Sequence, residues 1–237
     1  MVILVWSYPR NAHICCAVHT TMSASLESSY IIDEESQQNP RILFPEIVNG
    51  KIKTEEFLTA ARHVVSIIDK FGKIFAPIKY DMQGNIDKLR NKYEANKVAH
   101  STLQDMILLE ASIGNTIIAM DALLWLRRGL HMILEFFNKI IEDHNTGIKT
   151  EDLIVFLKQA YHDTLERYHG WMSQQLFGLL SRMVPTRSQL LKALAEEKGN
   201  EESTIKSLEI FLINLRKNIQ VLQKFYNENN LEDEARV

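Results

Sequence analysis

The chain has 237 residues, 46% of them hydrophobic and 24% charged, with a net charge of -3. That is a soluble, globular composition, long enough for a substantial core. It excludes a general nucleic-acid binder, which needs a basic excess to neutralise phosphate.

Nine glycines and five prolines, set against abundant Leu, Ile, Lys, Glu and Gln, point to helix. The adjacent Cys15 and Cys16 offer neither a disulfide framework nor a metal site. Met1 to Trp6 is apolar but too short for a signal-peptide core, and no Lys or Arg precedes it. With the polar, acidic run Asp33-Glu34-Glu35-Ser36-Gln37-Gln38 behind it, residues 1 to 45 read as a poorly ordered leader. One domain is expected over residues 46 to 237.

Thr54-Glu55-Glu56, followed by Phe57, Leu58, Ala61, Val64 and Val65, predicts a capped helix start. Gly72 and Pro77 punctuate the chain, and Pro77 suits the first turn of a second helix reaching about Tyr93. A third is expected from Ser101 to about Ile113. The most apolar segment, about Thr116 to Asp143, could span a bilayer by length. Asp121, Arg127, Arg128 and Glu135 interrupt it, so it reads as the central helix of a bundle, covered on several sides.

Another helix is expected from Thr150-Glu151-Asp152, reaching Tyr168-His169-Gly170-Trp171. Further ones run through Leu176 to Leu180, over Ser188 to Ala195, and over about Glu201 to Glu228. No strand pattern occurs. The expected fold class is all-α, with about eight helices.

On the second helix Asp81, Asn85 and Lys88 stand at i, i+4 and i+7, within about 60° of one another. Asp81 accepts hydrogen bonds, Lys88 donates them and Asn85 does both, a set better matched to a hydroxyl-rich sugar than to phosphate. An ordinary solvated helix face presents the same ladder. No phosphate loop, no HExxH and no nucleophile elbow is present, and no two histidines stand at the metal-binding i, i+4 spacing. Neither an enzyme nor a cofactor is expected.

Three strings complete the pattern: Phe75-Ala76-Pro77-Ile78-Lys79-Tyr80-Asp81 through Gly84-Asn85-Ile86, then Leu124-Trp125-Leu126-Arg127-Arg128-Gly129-Leu130, then Tyr168-His169-Gly170-Trp171. In order and spacing they resemble the glycolipid transfer protein family, from about Phe57 to the C-terminal helix. The resemblance implies a two-layer all-α sandwich enclosing an apolar lipid pocket. It assigns Asp81, Asn85 and Lys88 to the first sugar of a glycosphingolipid and Trp125 to the plate under that sugar. His169 would bond the ceramide amide carbonyl and Trp171 would dock on the membrane. Each of the last three residues could equally be core.

What the resemblance implies is non-vesicular glycosphingolipid transfer by a cytoplasmic monomer that touches cytosolic membrane faces transiently and binds no nucleic acid. Other readings are ceramide-1-phosphate transfer, lipid sensing, or a helical adaptor for proteins. The phosphate-carrying branch of the family has cations where this chain has Asn85 and Trp125, which favours a sugar. Some members end on a tyrosine that closes the headgroup site. Here Tyr226 lies about ten residues before an acidic end, Leu231-Glu232-Asp233-Glu234-Ala235-Arg236-Val237, leaving open which of the two closes it.

Overall fold

A computed structural model describes residues 43–114, 117–195 and 199–236. The leader expected over residues 1 to 45 lies outside them except at its end, and there the expectation needs correcting. Phe44 is buried, its ring centroid 5.3 Å from that of Phe57 and 5.6 Å from that of Phe211. The buried Asn218 amide donates to the Pro45 carbonyl at 2.9 Å. The packed region therefore includes Phe44, whose ring gains more from a core slot than from water.

The described residues form eight α-helices: α1 (Thr54–Asp69), α2 (Ala76–Ala95), α3 (Leu103–Ile113), α4 (Ile118–Asn145), α5 (Ile154–Thr164), α6 (Trp171–Leu180), α7 (Arg187–Leu194) and α8 (Glu201–Glu228). No strand occurs among the described residues beyond two isolated bridges. The arrangement is an all-α sandwich of two layers.

α4 is the common element, packed against α2, α3, α5 and α8. That explains why its sequence is apolar almost all round: Leu123, Leu124, Leu126, Leu130, Leu134, Phe136, Phe137 and Ile140 are all buried. Each such side chain contributes roughly 1.5–3 kcal/mol on leaving water. The start of α4 is held by α3, where the buried Glu110 accepts from the Met120 amide at 2.9 Å. Lys92 of α2 neutralises that carboxylate at 3.1 Å. A carboxylate there satisfies a first-turn N–H and faces the positive end of the helix dipole.

Several boundaries shift from their expected places because capping groups are used elsewhere. Thr54 does not cap α1. It is the helix's first residue, and its hydroxyl and amide donate to the carbonyls of His100 and Ser101 at 2.7 and 3.0 Å. Likewise Thr150 and Glu151 do not start α5. Thr150 donates twice to the Asp143 carboxylate, and Glu151 accepts from the Ser188 amide and hydroxyl at the head of α7. The chain also breaks before Trp171 instead of running on as helix. α5 ends at Thr164, a 3-10 turn covers Glu166–Tyr168, and His169 is extended. The Gln174 side chain donates to the His169 carbonyl, which lies past the turn, and to the Glu166 carbonyl, which also accepts from the His169 amide. α8 begins where expected, under a capping box of Asn200 and Ser203.

Candidate ligand-binding site

Two helices build the polar part of the site from one spacing. On α2, Asp81, Asn85 and Lys88 stand at i, i+4, i+7; on the adjoining α4, Asp121, Trp125 and Arg128 repeat it. Lys88 acts on both Asp81 and Asp121, and the Asp121 carboxyl acts on Asp81. Burial pushes the Asp81 carboxyl up to about 6, against the pull of Lys88 and with a further push from Asp121. Burial also raises Asp121, opposed by Lys88 and by a hydrogen bond with Trp125. Asn85 is 2% exposed, and its Oδ1 accepts no hydrogen bond among the described residues.

Trp125 is buried at 8% exposure and stacks on His169, ring centroids 5.9 Å apart at 15°. His169 Nδ1 is 2.9 Å from the Tyr161 hydroxyl. Burial and the nearby Arg128 lower the imidazole to about 4, so it is neutral; burial also raises the Tyr161 phenol, which keeps its proton. When Tyr161 donates to Nδ1, the ring proton sits on Nε2. Tyr161 in turn lies flat on Phe177 of α6, 3.7 Å away at 9°. Trp125, His169, Tyr161 and Phe177 thus form one continuous run of ring contacts, stacked at both ends and tilted by 41° between His169 and Tyr161.

Phe177 lines an apolar cavity, with Phe71, Phe75, Met132, Phe136 and Phe211 among the other walls. Its free space is ≈ 50 Å³, room for a few waters. Trp171, the first residue of α6, is 72% exposed, and Met172, Leu179, Met183 and Ile74 are exposed with it. Leu179 and Ile74 are the chain neighbours of the cavity-lining Leu180 and Phe75.

A C-terminal strap crosses the polar end. After α8, Asn230 takes a positive φ of 54°, a conformation Asn tolerates better than most residues. The Leu231 amide then donates back to the Tyr226 carbonyl at 2.9 Å, and Leu231 packs on the core. The next carboxylate, Glu232, accepts from Arg127 at 2.7 and 2.8 Å and from Arg128 at 3.1 Å. Both arginines are almost wholly buried. Arg127 also bonds Gln223, and Arg128 also bonds the Asp233 carbonyl. The Arg128 guanidinium lies between rings, 4.9 Å from the Trp125 centroid and 3.5 Å from that of Tyr168. Arg236 donates to the Arg167 carbonyl at 3.1 Å. The acidic end, and not Tyr226, therefore lies across this part of the molecule. Tyr226 is core, its hydroxyl donating to the Met120 carbonyl at 2.7 Å.

The structure thus places Asp81, Asn85, Lys88, Trp125 and His169 at one end of the ring run. Trp171 stands apart, exposed near the cavity. Sequence reading passed over Asp121, Tyr161 and Glu232. Asp121 had a usable signal in its i, i+4, i+7 register with Trp125 and Arg128; Tyr161 and Glu232 had none, since their partners meet them only in the fold.

The fold and the site together define an all-α protein with a polar mouth above an apolar interior, and comparison with known proteins gives it a family. A glycolipid transfer protein (GLTP) family model matches residues 52–196. Pleckstrin homology domain-containing family A member 8 is 34% identical over 195 residues in Danio rerio and 33% over 195 residues in Homo sapiens, covering 77% of this chain in each case. The alignments take up 34% and 36% of those relatives, so the chain spans about a third of their length. Among solved structures, one of how FAPP2 selects simple glycosphingolipids using the GLTP-fold superposes with a TM-score of 0.76 at 30% identity, covering 84% of this chain and 98% of that one. HET-C2, a fungal glycolipid transfer protein, gives 0.67 at 27% identity, covering 83% and 95%. Mouse ceramide-1-phosphate transfer protein, at 20% identity, shares the fold with a TM-score of 0.71 over 77% and 90%. The chain belongs to the glycolipid transfer protein family. No helix among the described residues is long and apolar enough to cross a membrane.

Proposed function

We propose that this protein binds a sphingolipid with a neutral sugar headgroup and carries it between membrane surfaces, with no chemical step. The observation that carries this reading is the ring run, which joins an acid–amide–base mouth at Trp125 to a wholly apolar cavity at Phe177. Exposing one 16-carbon chain to water costs on the order of 12 kcal/mol, at about 0.8 kcal/mol per CH₂. A protein that receives the chains as they leave the bilayer removes most of that barrier.

In this scheme Asp81 and Asn85 accept from sugar hydroxyls while Lys88 donates. The Asn85 Oδ1 is a buried acceptor that a sugar hydroxyl supplies and a phosphate, which carries few donors near neutral pH, does not. The Trp125 indole packs against the sugar's C–H face. His169, with its ring proton on Nε2, donates to the ceramide amide carbonyl, and Tyr161 holds that tautomer. Trp171 and its exposed apolar neighbours enter the membrane interface, where indole rings are favoured. Because the cavity is nearly filled by its own side chains, loading requires its walls to part.

Asp81→Val tests the headgroup assignment. Losing charge-assisted bonds worth roughly 1.5–3 kcal/mol should reduce glycolipid transfer between vesicles by about 10- to 150-fold, with far-UV dichroism unchanged. Unchanged transfer would remove Asp81 from the site. Mass spectrometry of lipid carried through purification checks the class of ligand independently.

A further inference from the structure

Arg127 and Arg128 are nearly inaccessible to solvent, yet the carboxylate they share comes from a strap after the last helix and is itself 17% exposed. One Glu232 carboxylate takes three charge-assisted bonds from the two guanidiniums, two from a single Arg127 nitrogen and one from Arg128, and phosphate oxygens can accept from the same donors. Arg128 also lies 4.9 Å from the Trp125 ring centroid, so this anion position borders the headgroup mouth. The strap's Asp233 reaches the same region, since its charge acts on Asp121.

We propose, resting on the sphingolipid reading above, that Glu232 is a built-in occupant of an anion site formed by Arg127 and Arg128, and that it sets the preference for neutral over phosphorylated headgroups. An anionic headgroup entering beside Trp125 meets two guanidiniums whose N–H donors a carboxylate already engages, and a strap whose acids repel it. A neutral sugar needs neither arginine and is not repelled. The local backbone makes this placement possible. The Asn230 turn and the Leu231 contacts deliver residue 232 to the arginines, and the Asp233 carbonyl and Arg236 hold the strap beyond it.

Two variants test it. Glu232→Gln keeps the shape and some of the bonds but removes the charge; truncation after Leu231 removes the strap and leaves its anchor. Donor vesicles carry glucosylceramide and ceramide-1-phosphate together, and acceptor vesicles are analysed for both. The expected result is a rise of about tenfold or more in the ratio of ceramide-1-phosphate to glucosylceramide transferred, the scale of one charge-assisted bond, with the truncation at least as strong as Glu232→Gln. If the wild type moves glucosylceramide and neither variant changes the ratio, Glu232 merely neutralises two structural arginines. The proposal is then overturned and the transfer function stands. A fall in both rates together with a lowered Tm has the same meaning. If the wild type moves neither lipid, this inference and the transfer reading fall together.

Discussion

At the scale of single residues, the site trades stability for recognition. Asn85 carries an Oδ1 that is buried and accepts nothing among the described residues, a deficit of about 1–3 kcal/mol when no ligand supplies a donor. Leucine has the same branched shape, with two methyls in place of the polar atoms. Asn85→Leu should therefore raise the unfolding free energy by roughly 1 kcal/mol while reducing glycolipid transfer. The check is denaturant unfolding beside a vesicle assay, and a destabilised variant with normal transfer would show that Asn85 serves the fold. The aromatic residues make the opposite exchange. Trp125, His169 and Tyr161 are all buried, so their ring contacts contribute to the core while supplying the indole and the imidazole Nε2 on which the proposed headgroup and amide contacts depend.

Among the helices, α6 is the one whose apolar side chains are least used inside. Phe177 and Leu180 face the core, while Trp171, Met172 and Leu179 face outward. A helix in water keeps such residues out only at some cost in solubility, which fits the proposed contact with an apolar phase. At 72% exposure Trp171 contributes little to folding. Trp171→Ala should leave the unfolding free energy within about 0.5 kcal/mol of wild type and weaken partition to neutral vesicles in a flotation assay. Melting of the variant by several kcal/mol would mean that Trp171 holds α6 in place. α4 lies at the other extreme, with nearly every turn buried and two buried guanidiniums tolerated because one carboxylate serves both.

For the whole molecule, the cavity is the quantity that matters. Its ≈ 50 Å³ of free space cannot hold an acyl chain, so under the proposed function a chain enters only by displacing the side chains around it. Lipid that binds only the folded form then stabilises it by mass action, about 2.7 kcal/mol at a hundredfold excess over Kd. Calorimetry of delipidated protein with and without glucosylceramide should show a higher Tm in the loaded form and no such shift with a phospholipid of matched chains. An equal shift with both lipids would locate the selectivity outside the headgroup mouth.

What the sequence determined by itself follows from interactions that are local along the chain. Periodic apolar residues and few glycines establish the helices and the all-α class, and the capping box at Asn200 and Ser203 starts α8 where expected. The register of Asp81, Asn85 and Lys88 on one helix face is likewise a property of 3.6 residues per turn. Capping groups with distant partners were not legible in this way. Thr54, Thr150 and Glu151 look like helix starts, yet each spends its hydrogen bonds on another segment. Only the tertiary structure decided which elements share the site. α2 meets α4 so that Asp81 and Asp121 face one lysine, and Tyr161 meets His169 only because the chain breaks between α5 and α6. Glu232 reaches Arg127 across 105 positions of sequence. Burial is the physical reason for the difference. A helix forms from the spacing of its own residues, whereas a buried arginine takes whichever carboxylate the packed chain delivers, and no local pattern records which one that is.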